Sequence, residues 1–188
     1  MTRPRRLRLL AAGVVALVAV AGAATAVVRM DPSLSTTGPG SVTGTEASAI
    51  FSLGGQTYHQ VRYADREMLT YSFTLHNDGS FDTNVVGPEP VEHEATLLRL
   101  RSLTDSSGKD RFEIGAGDEV DVVLSMLMTD CERLSARAAS QIGEVGLRTE
   151  GFGGVEHVVT IELPEQLRTG SAREMFCPRA NASTRPPG

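Results

Sequence analysis

Three observations predict a mainly β chain: an antiparallel sandwich of about 7–9 strands, preceded by one N-terminal transmembrane or signal helix. Apolar residues in the central region recur at a period of two. Glycine, asparagine and aspartate punctuate those runs at short spacing. The 20 residues from Leu9 to Val28 carry no charge at all.

The organisation follows in chain order. Residues 1–8 form a basic N-terminus containing Arg3, Arg5, Arg6 and Arg8. The segment 9–28 is expected to be a helix. At about 1.5 Å per residue it would reach roughly 30 Å, the thickness of a bilayer's hydrocarbon core, with the arginines holding the N-terminus in the cytoplasm. Ala24-Thr25-Ala26 has the form of a signal-peptidase site, so the segment reads either as a retained anchor or as a signal cleaved near Ala26. The apolar run continues through Val27 and Val28 past that site, which favours the anchor. Both alternatives export the remaining chain, leaving it extracellular on a single-pass anchor or secreted. No cysteine follows closely enough for lipid attachment, and Arg5-Arg6 fits a twin-arginine signal poorly.

Residues 29–48 are expected to be a flexible linker. From Asp31 to Ser48, 13 of 18 residues are Ser, Thr, Gly or Pro, and only Leu34 and Val42 offer a sizeable apolar side chain. The folded domain is placed at 49–177 and a disordered tail at 178–188, where Pro178, Pro186 and Pro187 stand without a large apolar residue.

Within 49–177 the clearest strand alternates Leu69, Tyr71, Phe73 and Leu75 with Thr70, Ser72, Thr74 and His76. It runs into Asn77-Asp78-Gly79-Ser80, which predicts a tight turn with residues 81–86 returning as the pairing partner. A second strand alternates Val120, Val122, Leu124, Met126 and Met128, after the turn Gly115-Ala116-Gly117-Asp118. A third alternates Val155, His157, Val159, Ile161 and Leu163; Gly151-Phe152-Gly153-Gly154 would fold it back on residues 144–150. Weaker strands are predicted at 49–53, 57–63, 94–101 and 111–114, and one short helix at 130–140, N-capped by Asp130.

Composition limits function. Residues 49–177 hold 21 acidic and 11 basic side chains, a balance of −10, so nucleic acid is not an expected partner and the membrane is met only through the N-terminal helix. Cys131 and Cys177 are the chain's two cysteines, and on the exported side of a membrane they are expected to form a disulfide. Closing a loop of roughly 47 residues would contribute about 4 kcal/mol.

No catalytic signature emerges, and no catalytic, cofactor-binding or metal-binding residue is assigned. Gly-x-Ser-x-Gly and His-Glu-x-x-His are missing, and Ser106-Ser107-Gly108-Lys109 lacks the earlier glycine and following hydroxyl of a phosphate loop. His59, His76, His93 and His157 show no ligand spacing, and His157 falls on the apolar face of its strand. His93 stands between two glutamates, in what reads as an exposed acidic loop. Met126 and Met128 share one face and could suggest a soft copper site, but the periodicity places both in the core. Asp118, Glu119 and Asp121 could offer oxygen to calcium, yet without the glycine-centred acidic loop they read as a solvated cluster.

The stretches Tyr71-Ser72-Phe73-Thr74-Leu75-His76-Asn77-Asp78-Gly79 and Ile114-Gly115-Ala116-Gly117-Asp118-Glu119-Val120 resemble exported bacterial immunoglobulin-like domains. There a strand ends in an Asn-Asp/Thr-Gly turn and a later one opens on a Gly-Asp/Glu step. The chain looks like an actinobacterial single-pass or secreted protein with such an ectodomain, a source that fits its single lysine and its wealth of Ala, Gly, Val and Arg. It departs from antibody domains in having no tryptophan. The resemblance implies fold and location, since sandwiches serve many functions. The expected function is a membrane-anchored extracytoplasmic domain that binds a protein or envelope partner without catalysis. The alternatives are an accessory subunit or non-obvious enzyme of the cell envelope, and a structural spacer in an envelope assembly.

Overall fold

The computed structural model describes residues 32–43, 47–62, 64–89, 98–128, 141–151 and 154–169. The predicted N-terminal helix, the helix at 130–140, His93, Cys131, Cys177 and the tail lie outside these residues.

Ten strands are formed among the described residues: β1 (Leu34–Thr43), β2 (Ala47–Leu53), β3 (Gln56–Val61), β4 (Met68–Asn77), β5 (Thr83–Glu89), β6 (Leu98–Asp105), β7 (Phe112–Ile114), β8 (Glu119–Met128), β9 (Gln141–Glu150) and β10 (Glu156–Thr169). They make a four-stranded sheet in the order β1-β4-β8-β6 and a six-stranded sheet in the order β2-β3-β10-β9-β5-β7. The first is antiparallel throughout. The second is mixed, which corrects the all-antiparallel expectation: β10 lies parallel to β3, with Gln166 beside Tyr58 and Thr169 beside Val61.

The period-two reading locates the core. Leu69, Tyr71, Phe73 and Leu75 of β4 and Val122, Leu124, Met126 and Met128 of β8 are buried, facing Val145 and Leu147 of β9 and Ile161 and Leu163 of β10. Burying such a side chain contributes about 1.5–3 kcal/mol, so alternation along the strand is enough to fix which face turns inward. The hairpin expected at Gly151–Gly154 is present, with Glu150 opposite Glu156 and Gly151 donating its N–H to Val155 O at 3.0 Å.

Two further expectations are overturned. The first concerns the linker, because residues 34–43 form β1, paired with β4 from Leu34 opposite Asn77 to Thr43 opposite Thr70. A strand ladder needs backbone groups and tolerates hydroxyl side chains. Here Leu34 and Val42 pack against the core, and Thr36 Oγ1 donates to Glu162 O of the other sheet at 2.6 Å. Gly38, at φ +85°, sits in a register shift between Thr37 and Ser41. Gly40 lies so close to Tyr71 that a Cβ there would stand 2.1 Å from its hydroxyl oxygen.

The second correction concerns Asn77–Ser80. The chain does not return against β4; β5 belongs to the opposite sheet. None of Asn77, Asp78 and Gly79 adopts a positive φ, and the segment is a corner between sheets rather than a hairpin turn. Asn77, fully buried, holds that corner through its side chain. Its Nδ2 group lies 2.9 Å from Phe81 O, 3.0 Å from Ile114 O and 3.2 Å from Gly115 O, while its Oδ1 accepts from Gly79 N at 3.0 Å. The β7–β8 connection crosses between sheets at the same place, with Gly117 N donating to Asn77 O at 2.9 Å. The two stretches that carried the family resemblance are therefore one structural unit, joined by a single asparagine.

Candidate functional site

The outward side chains of the four-stranded sheet are those that alternate with the core residues, and they are largely hydroxyls. Register places Thr43 beside Thr70 and Thr70 beside Ser125. The next row runs Ser41, Ser72, Val123 and Thr104, and the next Thr37, Thr74 and Asp121. Short β-branched and hydroxyl side chains suit such a face, because each packs on the pleat while its oxygen stays free to bond. Thr74 Oγ1 donates to Asp121 Oδ1 at 2.7 Å, and Thr43 and Thr70 bond through their hydroxyls.

Across these rows runs an open depression of about 390 Å³. Ser41, Ser72, Thr74 and Asp121 line it from β1, β4 and β8, Ser106 closes its far end, and Val122, Val123 and Phe73 complete the floor. It offers several hydroxyls, which both donate and accept, and one carboxylate already oriented by Thr74. Just past the end of β4, Asp78 is held below the usual carboxylate range by a hydrogen bond from Ser35 and by His76, whose Nδ1 lies 2.7 Å from Asp78 Oδ1. Asp105, at the end of β6 near Ser106, is likewise lowered. It accepts from Ser107 Oγ at 2.7 Å, Lys109 N at 2.8 Å and Ser107 N at 2.9 Å.

A second polar cluster lies inside the sandwich. β10 makes a wide bulge between Glu162 and Leu167, centred on Pro164 and Glu165, where its register against β9 shifts. Tyr71 OH reaches that bulge from the other sheet, donating to Glu165 O at 2.9 Å and accepting from Glu165 N at 3.1 Å. Burial pushes the Tyr71 hydroxyl up to about 12. Glu165 Oε2 pairs with His59 Nε2, and the His59 ring is buried, its Nδ1 without a partner among the described residues. Tyr71, Glu165 and His59 thus brace β4, β10 and β3 together. The period-two pattern of Thr57, His59 and Val61 and the proline within β10 were the signals that could have located this brace.

The other candidate residues fall as follows. His157 is half-buried on the inward side of β10, as its alternation predicts, and Met126 and Met128 are buried in the core. Asp118 lies in the β7–β8 turn and Asp121 in the groove beside Thr74, so the three acidic residues there do not converge on one point. No group of three His, Cys, Asp or Glu side chains suited to a metal ion occurs among the described residues. Among the described residues no helix is long and apolar enough to cross a membrane.

No protein family and no curated protein matches the chain. Among solved structures it is similar to the cupredoxin domain of amoB from Nitrosocaldus yellowstonii. The identity is 14%, the TM-score 0.29, and the match covers 56% of this chain and 61% of that one. That likeness is too slight to bear on this chain's chemistry.

Proposed function

We propose that this chain is an extracytoplasmic binding module of the immunoglobulin-like kind, carried on the segment 9–28, whose contact surface is the groove across the four-stranded sheet. It engages a protein or envelope partner and catalyses nothing. The observation that carries this reading is the row of hydroxyls from Ser41 through Ser72 and Thr74 to Asp121 and Ser106, set on rigid strands around an open concavity. Concave sites with a few fixed polar groups are where ligands are held, and strands position such groups more firmly than loops do.

A Ser72→Trp variant of the full chain tests it. The indole would fill the groove from its exposed face, away from the core. Partners cross-linked to the wild-type protein in intact cells should fall at least tenfold in yield, with the unfolding midpoint unchanged. Undiminished capture would move the contact surface elsewhere. A hydrolytic activity of the purified chain that vanished on changing one residue would overturn the non-catalytic reading.

A further inference from the structure

The two sheets differ in width, and β2 forms one outer edge of the wider one. Its register against β3 puts Ile50 opposite the buried His59, on the inward face, yet Ile50 is 63% exposed. Leu53, on the outward face with Phe51, is 65% exposed. Apolar side chains thus stand in solvent on both faces of one strand. Phe51 also stacks on Tyr58, its cross-strand neighbour, with ring centroids 5.4 Å apart.

Exposed sheet edges are ordinarily guarded by charge, proline, bulges or brevity. The other three edge strands follow that rule. β1 carries Gly38-Pro39 within its register shift. β6 carries Arg99 and Arg101. β7 is three residues long with Glu113 at its centre. β2 reads Ala-Ser-Ala-Ile-Phe-Ser-Leu, with neither a charge nor a proline; its one register shift lies at the far end, between Ala47 and Ala49, and Ile50 to Leu53 pair regularly with β3.

We infer that β2 pairs antiparallel with β2 of a second copy of this chain, about a two-fold axis passing beside Phe51. The hairpin geometry dictates the register. Gly54 and Gly55, at φ +61° and +86°, make the two-residue turn whose flanking residues, Leu53 and Gln56, exchange backbone hydrogen bonds. Alternation then turns the backbone groups of Leu53 and Phe51 toward β3, and those of Ile50 and Ser52 outward. An incoming strand must therefore bond to Ile50 and Ser52. In a self-pair centred on Phe51, Ile50 of one copy meets Ser52 of the other, twice, with about four backbone hydrogen bonds. The same register sets Leu53 opposite Ala49, a large side chain against a small one, and the two Phe51 rings side by side, extending each Phe51–Tyr58 stack. No like charges meet on β2, whereas an acidic chain would repel its own copy across most of its surface. A symmetric pair is also the commonest way for a chain to meet itself.

Position 51 is its own neighbour in this arrangement, which makes the test specific. Sedimentation equilibrium of the full chain in mild detergent should show a concentration-dependent dimer. Phe51→Lys and Phe51→Glu should each raise the dimer dissociation constant about a hundredfold, since like charges would then face each other across the axis. An equimolar mixture of the two should dimerise again. Ile50→Pro removes one outward donor from an edge that tolerates proline, and should abolish the dimer while the monomer keeps its circular dichroism. The inference is overturned if the wild-type chain stays monomeric, as it would with an extended peptide or another segment of this chain seated on β2. It is equally overturned if Ile50→Pro dimerises as the wild type does, or if the oppositely charged variants fold but do not pair.

Discussion

The corner at Asn77 and the brace at Tyr71 both use a buried polar group of β4 to fasten the two sheets, but they satisfy it differently. The Asn77 amide faces three carbonyls and one N–H within 3.2 Å, all of them backbone. The Tyr71 hydroxyl meets backbone on both sides too, yet the cluster extends to two further side chains, Glu165 and His59, and the His59 Nδ1 has no partner among the described residues. A group bonded only to backbone depends on the fold alone. One that is itself an ionisable hydroxyl and leans on further side chains also depends on pH and on how well those side chains pack. The corner should therefore be the costlier of the two to break and the less sensitive to solution conditions.

Asn77→Ala should cost the most, about 3–4 kcal/mol in chemical denaturation, because the buried carbonyl of Ile114, the half-buried carbonyls of Phe81 and Gly115 and the Gly79 N–H lose their partner together. Gly40→Ala should cost about 2–3 kcal/mol by driving a methyl group into the Tyr71 ring. Combining it with Tyr71→Leu should be markedly less damaging than the sum of the two, which a double-mutant cycle would measure.

Tyr71→Phe should cost about 1–2 kcal/mol at neutral pH, leaving Glu165 N and O unpaired. It should also change the alkaline limb. The hydroxyl's pKa is raised from 10.0 to about 12 in the folded protein, so the unfolded chain ionises first. Tyr71's contribution is complete below pH 10 and is lost as pH rises from there to about 12. The phenylalanine variant should lack that slope, whereas Asn77→Ala should keep it.

The smallest effect is expected at Asp105, which lies in neither cluster. Asp105→Ala should speed amide exchange at Ser107 and Lys109 with little movement of the unfolding midpoint. Because its carboxyl is lowered by Ser107, the turn's protection is present above the ordinary carboxylate range and is lost as pH falls through the lowered value.

What could be read in advance divides along the same physical line. Alternation revealed the inward faces of β4, β8 and β10, because burial is selected side chain by side chain. The β4 and β8 members of the groove's polar rows were visible as the polar alternates of the same strands, although their meeting around a concavity depends on which strands are neighbours. β1 was hidden: a run rich in Ser, Thr, Gly and Pro resembles a linker until β4 offers it a ladder. The corner at Asn77 carried the right residues for a turn, but whether a chain turns back or crosses between sheets depends on the amide's distant partners, Ile114 and Gly115. The brace was least legible, since Tyr71, His59 and Glu165 lie on three strands and meet only through the parallel pairing of β3 with β10.

The place where the ladder begins also has a mechanical meaning. From Val28 to Leu34 is a span of six residues, at most roughly 20 Å when extended. A pull on the N-terminus would reach the sandwich at Ser33, whose carbonyl accepts from Asp78 N, and at Leu34 opposite Asn77. Drawn along its axis, β1 would load its hydrogen bonds to β4 in parallel, as in shear; drawn sideways, it would peel them one after another. The direction of tension would then decide how long β1 holds, and with it the Ser41 rim of the groove.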